Sequence, residues 1–185
     1  MTPGDRRDAL VEATIPLLHE HGRRVTTKQI ADAAGVAEGT IFRVFDSKDD
    51  LVAAAVEKAL DMEPFLADLE SIDLDQDLRA RLVDLVTRLQ ERFRGIFLLM
   101  SAMGMVGPPK AHRHADEGRR RAEKTMVAVV EPDAALLTCT PTQLVHILRM
   151  LTFSGTHPHI SDGHLLTPDQ IVGTLLDGVL QTKDS

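Results

Sequence analysis

The stretch TKQIADAAGVAEGTIFRVF, Thr27 to Phe45, constrains the fold more than any other part of the chain. Two short runs with helically spaced apolar residues meet at Gly35-Val36. Ile30, Ala31 and Ala34 mark the inner face of the first run, and Val36, Ile41 and Phe45 that of the second. Gly35 supplies a positive-φ turn without a Cβ penalty. Two short helices joined in this way form helix-turn-helix geometry, in which the second helix enters the major groove of DNA. The competing reading is an ordinary helical hairpin. Gly39 bears on the choice, because a glycine inside a helix costs about 1 kcal/mol relative to alanine. A close approach of the backbone to phosphates or base edges would give it a reason. Thr40 and Arg43 are expected to face outward.

The flanking residues extend the helical pattern. A first helix is expected over 5–21, with Pro16 as a potential kink and Gly22 as its C-cap. Thr26 and Gln29 form a capping box that opens a second helix ending at Ala34. A third helix is expected over 38–45. Ser47 caps a fourth, expected over 48–62 and stopping near Pro64, with Asp49 and Asp50 in its first turn. Leu78, Leu82, Leu85, Leu89, Phe93, Phe97 and Met100 then form a long apolar stripe. Gly104, Gly107, Pro108 and Pro109 end it, and another helix is expected over 111–130. The last two helices open alike, with TPTQ at Thr140 and TPDQ at Thr167 each offering an N-cap Thr, a Pro at the first position and a Gln at the third.

Helical periodicity nearly everywhere makes the expected fold class all-α. With 43% hydrophobic residues the chain can bury a real core. The single cysteine, Cys139, suits a reducing compartment. Neither a signal-peptide core nor an apolar run of about 20 residues is seen, so a cytoplasmic location without a membrane partner is expected. The net charge of −7 is unevenly spread. Residues 1–48 carry seven Lys/Arg and seven Asp/Glu, so the negative excess lies wholly beyond them. Nucleic-acid binding would therefore depend on a few placed cations.

The segment TTKQIADAAGVAEGTIFRVFDSKDDL resembles the N-terminal DNA-binding domain of the tetracycline-repressor (TetR) family, over about residues 6–56. The alanine-rich second helix, the A-G-V turn, the G-T pair and the S-K before the fourth helix carry the resemblance. It implies an N-terminal three-helix helix-turn-helix domain (1–47) and a helical ligand-binding and dimerisation body (48–185). It also implies DNA contacts from Thr27, Lys28, Thr40, Phe42, Arg43 and Lys48. Lys28 and Arg43 are the candidates for base edges, since arginine can pair bidentately with guanine. Three positions depart from the family pattern. Phe42 stands where Tyr is usual, Ala37 replaces a capping Ser or Thr, and Glu38 brings a carboxylate to the groove. Such a carboxylate either accepts from cytosine N4 or repels phosphate, so weaker or more selective binding is expected.

For the body, the resemblance implies a cavity for a hydrophobic effector. Phe65, Leu82, Leu85, Leu89, Phe93, Phe97, Met100, Met103, Met126 and Phe153 are the candidate lining, with packed core as the alternative for each. The last two helices, each paired with its symmetry mate, are expected to form a four-helix homodimer interface through Leu144, Leu148, Leu151, Ile171, Leu175, Gly178 and Val179. That symmetry calls for a palindromic DNA operator. The histidine pairs His112/His114 and His157/His159 lie beside Gly/Pro loops without cysteine partners, and are read as solvated rather than metal-binding. In EGRRRAEK, Asp116–Arg120, Glu117–Arg121 and Arg119–Glu123 are spaced as i, i+4 ion pairs, which favours a solvent face over a second phosphate patch. No catalytic constellation is seen, and no cofactor is expected. The resulting expectation is a ligand-responsive repressor rather than an enzyme. The alternative is a helical small-molecule-binding or scaffold protein with weakened or lost operator binding.

Overall fold

A computed structural model describes residues 3–105 and 115–177. Among these residues there are eight α-helices and three short 3-10 segments, and no strand, as the periodicity predicts. The helices are α1 (Pro3–His21), α2 (Thr27–Ala34), α3 (Lys48–Ala59), α4 (Glu63–Glu70), α5 (Leu78–Met103), α6 (Ala115–Val130), α7 (Pro141–Thr156) and α8 (Pro168–Asp177). None is long and apolar enough to cross a membrane. Gly178 and Val179, assigned above to a dimer interface, lie outside the described residues, as do His112 and His114.

The described residues form two compact units, 3–61 with 95–105, and 62–94 with 115–177. The long helix α5 contributes to both. Helix α3 belongs to the first unit, whose core is built from Leu10, Leu18, Val25, Ile30, Ile41, Phe45, Leu51, Ala55, Leu99 and Met103. Within α1 the chain continues through Pro16, and the Thr14 hydroxyl donates to the Leu10 carbonyl at 2.7 Å.

Gly22 is more than a cap. Its φ of 56° is left-handed, and a Cβ built there would lie 1.9 Å from the Ala102 carbonyl oxygen. Beside it, the Arg23 guanidinium donates to the Met103 carbonyl at 3.0 Å. Residues 22–24 are thereby seated on the end of α5.

The second unit packs Phe65, Leu66, Leu69, Leu82, Leu85, Val86, Leu89, Met126, Val129, Leu144, Val145, Leu148, Ile171 and Val172. Helix α4 was not expected. Pro64 in its first turn has no N–H to leave unbonded there, so it starts a helix as readily as it stops one. Thr140 with Gln143, and Thr167 with Gln170, form the expected capping boxes.

Charged pairs tie the unit together. Arg81 is only 2% exposed; it is paired with Asp133 and donates to the Leu74 carbonyl at 3.0 Å. Arg88 pairs with Asp68, and Arg79 meets Asp177 at 2.5 Å. Two of the expected i, i+4 pairs are redirected. Arg119 turns back to Asp116, and Arg121 reaches Glu63 on α4, whose hydrogen bond and charge raise the arginine pKa.

The expected dimer residues need correction. Leu144, Leu148 and Ile171 are buried within the chain's own core. The outward face of α7 instead carries Ile147 (48% exposed), Met150 and Phe153. Leu151 and Leu175 are half-buried.

Candidate nucleic-acid interface

The helix-turn-helix segment is set up by its caps. The Thr26 hydroxyl accepts from the Gln29 amide at 3.2 Å, and the Gln29 side chain accepts from the Thr26 amide at 2.8 Å. Helix α2 ends where Gly35, with φ 65°, donates its amide to Ala31 and Asp32. Val36 then donates to the Ala31 carbonyl at 3.0 Å and closes the turn.

The following segment, Glu38–Arg43, is a 3-10 turn rather than the expected α-helix. Thr40 donates to Ala37 at 2.8 Å, and Val44 to Ile41 at 3.0 Å. Three features account for the tighter winding. Ala37 has no side-chain oxygen to cap the first turn, Gly39 is a poor helix former, and the β-branched Thr40 and Ile41 add little helix propensity. Ile41 and Phe45 pin the segment to the core.

This leaves a short outward face. Lys28, Glu38, Gly39, Phe42 and Arg43 are exposed, while Thr27, Thr40 and Lys48 are half-buried. Nothing lies within 4 Å of where a Gly39 Cβ would stand, so packing inside the chain does not demand the glycine. Phe42 stands out of the core and is 56% exposed.

Two expected phosphate contacts change character. The Thr27 hydroxyl donates to the Glu38 carboxylate, so its single proton is already committed and cannot serve a phosphate at the same time. The Lys48 ammonium donates to the carbonyls of Val25 at 3.1 Å and Arg23 at 3.4 Å. Only one of its three N–H donors remains. Both partnerships span non-adjacent segments and leave no local sequence signal. A third contact of this kind places the Arg7 guanidinium 4.3 Å from the centre of the Phe45 ring, bracing the start of α1 against the turn.

The candidate ligand residues divide between the two cores. Phe65, Leu82, Leu85, Leu89 and Met126 are closed core side chains of the second unit, whereas Met103 belongs to the core of the first. Phe97 and Met100 lie on the stretch of α5 that joins the first unit. Phe93 and Phe153 stack edge to face at 5.4 Å. In the loop after α7, the His157 ring nitrogen accepts from the amides of His159 and Ile160, at 3.3 and 3.4 Å.

A capped α2, a left-handed glycine turn and a second short element with an exposed polar face define a helix-turn-helix head. Residues 10–55 match the family described as bacterial regulatory proteins, tetR family. Over those residues the chain is similar to that family.

Among its relatives is the HTH-type transcriptional repressor KstR2 of Rhodococcus jostii, 38% identical over 87 residues, which are 46% of this chain and 42% of KstR2. The chain thus spans under half the length of this curated relative. The fold is similar to that of FadR from Bacillus subtilis, solved with stearoyl-CoA. That similarity has a TM-score of 0.63 at 12% identity, covering 93% of this chain and 98% of FadR. A TetR transcriptional regulator from Streptomyces coelicolor gives a TM-score of 0.58 at 18% identity, covering 96% of this chain and 99% of that one.

Proposed function

We propose that the chain acts as a homodimeric repressor that occupies a palindromic operator through the turn Glu38–Arg43 and is released by a hydrophobic small molecule. The observation that carries the DNA reading is the exposed face of this turn, with Arg43 beside an uncrowded Gly39. An acidic total charge does not oppose it, because the excess lies beyond residue 48 and exposed Lys28 and Arg43 stand on the reading side. In this reading Thr40 and the remaining Lys48 donor hold phosphates, and Thr27 positions Glu38.

Self-association uses the outward stripe of α7, with Leu151 and Leu175 at its margin. Two such chains related by a two-fold axis bring their reading elements to one face of the duplex, roughly 34–36 Å apart or somewhat more. The Leu, Met and Phe side chains of the body suit an apolar effector. The stearoyl-CoA bound to FadR supports an acyl-type compound, and the repressor role of KstR2 supports repression.

Selection from a random duplex library tests the reading. An inverted repeat is expected to be enriched, bound with an affinity that falls log-linearly with salt, and released by stearoyl-CoA. An unenriched pool would leave a helical small-molecule-binding or scaffold protein as the better reading.

A further inference from the structure

We propose that Phe42 is a specificity-determining residue that reads the C5 methyl group of thymine. The inference rests on the reading of Glu38–Arg43 as the DNA-facing element. Its starting point is the contrast within one turn. Ile41 is 0% and Phe45 4% exposed, yet Phe42 between them is 56% exposed. The hydrogen bonds from Thr40 to Ala37 and from Val44 to Ile41 close the turn on itself, and the ring stands outside the core.

A phenyl ring has no donor for a phosphate oxygen. Among the base edges that line the major groove, the apolar group is the thymine methyl, with which phenylalanine makes a favourable contact. The neighbouring Glu38 acts in the same direction. Its carboxylate, held by the Thr27 hydroxyl, is repelled by phosphates and keeps acceptor capacity that a base amino group in the groove can fill. Two of the exposed side chains on this turn therefore gain from base edges and nothing from the backbone. The turn selects bases, and the thymine methyl is the feature matched to Phe42.

The test uses the full-length protein and the duplex recovered by selection, with thymines replaced by deoxyuridine one symmetric pair at a time. The replacement removes the methyl and keeps every hydrogen-bonding group. One symmetric pair is expected to weaken wild-type binding by roughly fourfold per half-site, the worth of one buried methyl group, and so roughly fifteenfold in all. Phe42→Ala should bind thymine and deoxyuridine duplexes alike, with an unchanged melting temperature. Phe42→Tyr should keep the preference for thymine. A wild type indifferent to every replacement, or a Phe42→Ala variant that keeps the same penalty, overturns the assignment while leaving the DNA-binding reading intact. Failure of the wild type to select any duplex overturns both.

Discussion

The Lys48 ammonium holds the carbonyls of Arg23 and Val25, so this residue supports the head from within. Lys48→Ala is expected to lower the stability of the protein by about 1 kcal/mol, as charged hydrogen bonds at a half-buried site do. Thermal melting without DNA reads that loss directly. Arg43→Ala should behave in the opposite way. Its guanidinium is exposed, so melting should move little, while discrimination at one base pair of each half-site falls by ~1–3 kcal/mol. Equal losses on matched and random duplexes would remove Arg43 from base reading. In the body, Asp133 is the partner of the almost fully buried Arg81. Asp133→Ala leaves that guanidinium buried without its counter-charge and is expected to cost ~3 kcal/mol. Arg81→Met should cost less, because Asp133 is 27% exposed and can be rehydrated. Denaturant titration of both variants checks the order.

At the scale of elements, the head is legible because its signals are local. Thr26 with Gln29, Gly35, and Ser47 with Asp50 each place a cap within a few residues of the group it satisfies. The 3-10 form of Glu38–Arg43 was not read, although its cause, an alanine at the cap followed by glycine and two β-branched residues, is visible in the sequence. The cause can be reversed. Ala37→Ser supplies the missing acceptor and is expected to raise stability by ~0.5–1 kcal/mol, seen as a higher melting temperature. Thr26→Ala removes an existing cap and should cost ~1 kcal/mol. If both substitutions are silent, capping does not hold this motif together.

Across the whole molecule, legibility fails where two apolar faces share one helix. Spacing shows that Leu144 and Leu148 lie together on α7, and equally that Ile147 and Met150 do. It does not say which pair the chain keeps for itself. The structure turns the leucines inward. Ion pairs such as Arg81–Asp133 and Arg79–Asp177 join residues far apart in the chain and left no pattern to find. Met150→Glu, on the outward stripe, is expected to convert a dimer to monomer in sedimentation and to abolish operator binding without lowering the melting temperature of the monomer. A dimer that survives it excludes this face.

The seat of Gly22 against Ala102 has a consequence for which sequences this fold can sample. Position 22 requires a left-handed φ and also admits no Cβ, so even asparagine or alanine should be purged from a saturation library selected for folded protein. Gly35 has a similar φ but open space around it, and there asparagine should persist. Lineages carrying this fold can exchange glycine for asparagine at the turn after α2 and are confined to a single residue at the end of α1.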